Sequence, residues 1–213
     1  MADHDLFIEQ LSRTIEPVKR PWQPGWRVVA WIVMALPCGA LASLLVHRTF
    51  TDWSQTGAAW VILQLFLTFI TGALAIRNAF LLSIAGQQSL SWKWFTPLVS
   101  LWLAISFANM QLHHHLPVQG SEVGTNCYLF MVVVSVPMMA IVIGYLRRTR
   151  TLFPARSLAA AGAGVACMAL TLLALCHPTH VSALDFLMHL SATATIILGT
   201  MLLGYKWVSL PHH

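Results

Sequence analysis

From Val28 to Val46 the chain runs for nineteen residues without one charged side chain. That is close to the length an α-helix needs to cross a hydrocarbon core of about 30 Å. Five further apolar stretches follow, at Ala58 to Ile84, Trp94 to Leu112, Cys127 to Leu146, Leu158 to Leu175 and Ala183 to Leu203. The pattern predicts an all-α polytopic membrane protein with six transmembrane helices. Arg77 and Asn78 interrupt the second stretch, which predicts a tilted helix whose Arg77 side chain reaches one interface. Pro97 suits a first helical turn, whereas Pro37 and Pro137 fall inside spans and predict kinks.

Composition excludes the other classes. Hydrophobic residues make up 57% of the chain and charged residues 9%, against about 25% charged in a soluble domain, so a water-soluble globule is ruled out. Four Cys and unpatterned Gly exclude a disulfide scaffold and a collagen-like repeat. Ala40, Leu41 and Ala42 mimic a signal-peptidase site, but the residues before the first span are too many and too acidic for a signal peptide.

The net charge of +5 reports topology rather than nucleic-acid binding. With six spans, Arg13, Lys19, Arg20, Arg27, Arg77, Lys93, Arg147, Arg148, Arg150, Arg156 and Lys206 share one side, and Arg48 alone lies on the other. The positive-inside rule then places both termini and the Arg147 to Arg156 loop in the cytoplasm. Trp22, Trp26, Trp53, Trp92, Trp94 and Trp207 fall near span ends, where an indole with one wet edge is favoured.

Three regions follow: a cytoplasmic segment at 1–26, a six-helix domain at 27–207 and a short tail at 208–213. In the first, Phe7, Leu11, Ile15 and Val18 recur at helical spacing between Glu9, Gln10, Arg13 and Glu16. A helix lying on the bilayer would carry a strongly basic face, yet before Lys19 acidic residues outnumber basic ones, with Asp3, Asp5, Glu9 and Glu16 against Arg13. A short helix from Leu6 to Val18, offered to a protein groove, fits better.

On the outer side lie His47, the run His113 to His115, Cys176, His177 and His180, with Cys127, Asp185 and His189 just inside their helices. Thiolate and imidazole bind transition metals such as copper or zinc, and two thiols can instead form a disulfide. Cys127 and Cys176 reach the same outer surface, one heading the fourth span and the other following the fifth. At a helix start, thiolate is favoured by exposed amides and the dipole. The candidate ligand set is Cys127, Cys176, His177, His180, Asp185 and His189, with Asp185 and His189 on one helical face. Cys38 and Cys167, near mid-span, read as packing residues. No G-x-S-x-G, HExxH or P-loop motif is present, and no enzymatic activity is expected.

The segment Ile15-Glu16-Pro17-Val18-Lys19-Arg20-Pro21, with Trp26-Arg27 before the first span, resembles the amino terminus of the NrsF-like family, the negative regulators of sigma F. The carboxy-terminal half is similar as well: Cys127, Arg147 to Arg150, the small-residue helix from Ala159, Cys176-His177-Pro178, and Ala183-Leu184-Asp185 with His189. The His113 to His115 run departs from the family pattern. The resemblance implies a six-helix anti-sigma factor of the bacterial inner membrane. Its cytoplasmic segment, with Leu6, Phe7, Leu11, Ile15 and Val18, would hold an extracytoplasmic-function sigma factor. A periplasmic pair, here Cys127 and Cys176, would take part in sensing metal or oxidative stress. The competing expectation is a small metal-handling or redox membrane protein, which would not need the amphipathic segment.

Overall fold

A computed structural model describes residues 9, 22–46, 51, 53–54, 58–84, 86–112, 122–149, 151, 153–176 and 183–209. The described residues form six long helices: α1 (Pro24–Ala42), α2 (Ala58–Leu82), α3 (Phe95–Leu112), α4 (Glu122–Thr149), α5 (Pro154–Leu173) and α6 (Ala183–Val208). Among the described residues there is no strand. Among the described residues, five helices are long and apolar enough to cross a membrane by length and composition.

Helices α1, α4 and α5 start before their apolar stretches for local reasons. Pro24 and Pro154 start α1 and α5, where a fixed φ is helical and the missing N–H costs nothing. At α4 the polar residues from Glu122 to Asn126 join the helix, because backbone hydrogen bonding does not stop where hydropathy falls. Both α1 and α4 continue through their internal prolines, Pro37 and Pro137.

Helix α5 is the centre of the bundle, packing on α2, α6 and α4 and more lightly on α1. Lipid tails are as apolar as leucine, so helices associate through close packing rather than through hydrophobic burial. The sequence of α5 supplies that closeness with small residues. A Cβ on Gly164 would stand 2.6 Å from Ile76 Cγ1 of α2, and one on Gly162 would stand 2.8 Å from the Ile197 Cα of α6. Polar contacts tie the same seam: the Thr68 and Thr171 hydroxyls share a hydrogen bond at 3.2 Å, and Ser157 Oγ donates to the Ala79 carbonyl at 3.0 Å. Cys167 lies in this seam, its Cβ 3.0 Å from where a side chain on Gly72 would begin, in keeping with its expected packing role. By contrast α3 packs chiefly on α2, with Gln64 Nε2 donating to Ser106 Oγ at 3.2 Å.

The bundle has two distinct ends. At one, the Thr151 N–H donates to the Val208 carbonyl and Thr151 Oγ1 to the Leu82 carbonyl, so α2, α6 and the α4–α5 connection meet there. Arg147 lies over Trp207 at 4.7 Å. Arg27, Arg77, Arg148, Arg156, Lys93 and Lys206 belong to this end as well, by their places at the helix termini. At the other end, the Thr51 N–H donates to the Leu175 carbonyl and Thr51 Oγ1 to that of Ala174. The six tryptophans expected at span ends are all exposed, whereas Trp31, inside α1, is fully buried. In the α2–α3 connection, Gly86 has a φ of +80° within a turn closed by the Gln87 N–H and the Ile84 carbonyl. That left-handed position suits glycine.

Gly162→Ala should lower the unfolding midpoint in detergent, at a cost of about 1–3 kcal/mol, because the new methyl meets backbone rather than a movable side chain. Gly144→Ala is the control, since nothing lies within 4 Å of a Cβ there. It should leave the midpoint unchanged or raise it, and equal behaviour of the two variants would refute the close-approach account.

Candidate functional site

The end that carries Thr51 also collects the sulfur and imidazole groups. Asp185 lies in the first turn of α6, where a carboxylate complements the positive end of the dipole, and His189 follows one turn later. Both side chains are buried, at 6% and 8% exposure. Cys127 of α4 is equally buried and close enough to Asp185 to feel its charge. Tyr128, the next residue of α4, joins its hydroxyl to that of Thr195 on α6 at 3.1 Å, which fixes the two helices beside the site. Cys176 is half-buried at the end of α5, packs against the apolar core, and donates its N–H to the Leu173 carbonyl at 2.8 Å. All four cysteines carry thiols.

Cys127 does not head its helix. It is the sixth residue of α4, because Glu122 to Asn126 are helical, and the end-of-helix field fades within one turn. The expected activation of its thiolate by exposed amides therefore does not carry over. What surrounds Cys127 is instead an apolar core with one carboxylate nearby.

The structure thus buries Cys127, Asp185 and His189 in helices α4 and α6, which pack on each other, and sets His189 on the Asp185 face of α6. His177 and His180 lie outside the described residues, as do His113 to His115 and the amino-terminal Leu6, Phe7, Leu11, Ile15 and Val18. Among the described residues no three His, Cys, Asp or Glu side chains converge to hold a metal ion. Of the expected ligand set, the structure describes Cys127, Cys176, Asp185 and His189.

A cavity of about 60 Å³ adjoins His189 between α2, α3, α5 and α6. Gln64, Thr68, Ser106 and His189 give it polar walls, and Trp102 and Phe186, ring centroids 5.9 Å apart, close one side. Sequence reading passes over this cavity. Its signal is the pair Gln64 and Thr68, two polar residues one turn apart inside an apolar stretch.

The family model for NrsF, negative regulator of sigma F, matches residues 11–208. Comparison with curated proteins and with solved structures returns no match. The matched range begins within the amphipathic segment, at Leu11, and closes on the last residue of α6, so it takes in the later part of the segment and the whole bundle. On that span the chain belongs to the family of negative regulators of sigma F.

Proposed function

We propose that the chain is a membrane-embedded anti-sigma factor. Its cytoplasmic segment holds a sigma factor of the extracytoplasmic-function class, and the Cys127 and Cys176 end of the bundle triggers release under metal or oxidative stress. The observation that carries this reading is the family match over residues 11–208. A metal-handling protein would need the His and Cys end but not the amphipathic segment, whose part from Leu11 onward lies inside the match.

The orientation follows from charge. The end bearing Arg27, Arg147, Arg156 and Lys206 faces the cytoplasm and the Asp185 end faces the periplasm, which sets the chain in a bacterial inner membrane. All six helices cross in this reading, α3 leaning on α2 at the edge of the bundle. The oxidative step is balanced as two thiols and one peroxide giving a disulfide and two waters. The proposal rests on the two thiols.

Release is a change in how α4 sits against α5 and α6. Cys127 is locked to α6 through its neighbour Tyr128, and the far end of α4 carries Arg147 against Trp207. A pull on the thiol end is therefore felt at the cation end as a rigid-body shift.

Three outcomes are expected. Reporter fusions at Gly120 and Arg150 should report opposite compartments, and agreement between them would end the six-span orientation. Leu11→Ala or Ile15→Ala should weaken sigma-factor binding about thirtyfold, a loss of about 2 kcal/mol, and derepress target genes while membrane levels hold. Full repression by a chain lacking the residues before Pro17 would instead move the contact to the Arg147 to Arg156 loop. Cys127→Ser and Cys176→Ser should each keep repression and lose induction by copper, zinc, chromate or a thiol oxidant. Normal induction in both would return the cysteines to a packing role.

A further inference from the structure

Arg27 is counted by sequence as one more cation of the positive-inside set, but the structure buries it. The side chain is 4% exposed, and its guanidinium lies over the Phe80 ring of α2 at 4.5 Å. Tyr145 of α4 completes the enclosure, its ring 5.8 Å from that of Phe80. Both Nη1 and Nη2 are buried without a hydrogen-bond acceptor among the described residues, and so is Nε1 of the fully buried Trp31, one turn along the same face of α1. Three unmet donors therefore face the seam between α1, α2 and α4. A guanidinium does not shed its proton inside a protein, so burial calls for an anion. The C-termini of α2 and α4, which end nearby, supply only partial negative charge.

The acidic residues of the chain are few enough to search. They are Asp3, Asp5, Glu9, Glu16, Asp52, Glu122 and Asp185. Glu122 and Asp185 head α4 and α6 at the opposite end, and Asp52 follows Thr51, which is bonded to the far end of α5. Glu9 is exposed. Of the rest, Glu16 stands nearest along the chain, eleven residues before Arg27. Pro17, Pro21 and Pro24 between them prevent one continuous helix, and eleven residues reach about 36 Å when extended, ample for the chain to turn back.

We infer that the Arg27 seam is a carboxylate receptor for the chain's own amino-terminal segment, and that Glu16 is the carboxylate it takes. The two oxygens of a carboxylate match the paired Nη donors in bidentate geometry. Such docking would pin Ile15 and Val18, which flank Glu16, to the cation end of the bundle. The packing of α1, α2 and α4 around Phe80 then sets how the apolar anchors are presented. This regulatory consequence rests on the anti-sigma reading, while the docking itself does not.

The test is limited trypsin digestion of the full-length protein in lipid nanodiscs without sigma factor, following cleavage after Lys19. Glu16→Gln and Arg27→Met should each speed that cleavage about tenfold, the loss of one charge-assisted contact, and the double variant should be no faster than either single one. Arg27→Lys, which keeps the charge without the bidentate fork, should also speed it and guards against misfolding of the Met variant. Wild-type cleavage in Glu16→Gln, or multiplying effects in the double variant, would overturn the inference. An Arg27 effect that follows anionic lipid content and ignores Glu16 would overturn it in favour of a lipid headgroup. If docking is found and Leu11→Ala still represses normally, the receptor stands and the anti-sigma contact fails.

Discussion

The close approach of α5 to α2 and α6 is the constraint on which the rest of the bundle depends. In water, the apolar content of these helices would hold them together, but in lipid it contributes little to association. What remains is contact at short range, and Gly162 and Gly164 permit it by leaving no side chain between α5 and the backbones of its neighbours. The Thr68–Thr171 and Ser157–Ala79 hydrogen bonds lie on the same seam because only helices this close can make them. Helices α2, α5 and α6 therefore form the fixed part of the molecule. The lighter contacts of α3 and of α1 with α5 leave those helices freer to adjust.

Two threonines perform matching tasks at the two ends. A helix leaves its last carbonyls without intrahelical donors, and at the edge of a bilayer water satisfies them only in part. Thr51 offers its N–H and its hydroxyl to the carbonyls that follow α5, and Thr151 offers the same two groups to the ends of α6 and α2. Each threonine comes from a different connection, so each cap also ties a loop to a helix distant in sequence. The thiol end and the cation end are thereby held in register with the packed core.

Much of this is legible in the sequence, and what is not has physical causes. Apolar runs mark all six helices because hydrophobic thickness dictates their length. They misplace the starts of α1, α4 and α5, since proline at the first turn and polar residues in the first turns are helical without being apolar. Asp185 and His189 share one face of α6 by their spacing of four, and the structure adds that this face is buried. Cys127 is read from the sequence as heading its helix, so its depth in α4 is missed, and with it the argument from the helix dipole. The burial of Arg27 depends on Phe80 and Tyr145, far away in sequence, so periodicity cannot reveal it. The cavity beside His189 depends likewise on Gln64 and Ser106 meeting across two helices.

The position of the prolines gives the final link between the two ends. Along α4, Cys127, Met131, Val134, Met138, Val142 and Leu146 form one buried stripe that runs from the thiol end to the cation end. A face packed at this density does not deform one residue at a time. A sharp bend in such a helix is favoured where a backbone hydrogen bond is missing. Pro137 removes one beside Met138, and Met138 is the side chain that packs against Gly39 of α1. In α1 itself Pro37 stands two residues before Gly39. The weak points of the two helices thus adjoin their mutual contact, while α2, α5 and α6 hold firm behind them. Arg27 lies ten residues from Pro37 on the cation side, so a bend of the α1–α4 pair at this level would reorient the Arg27, Phe80 and Tyr145 enclosure.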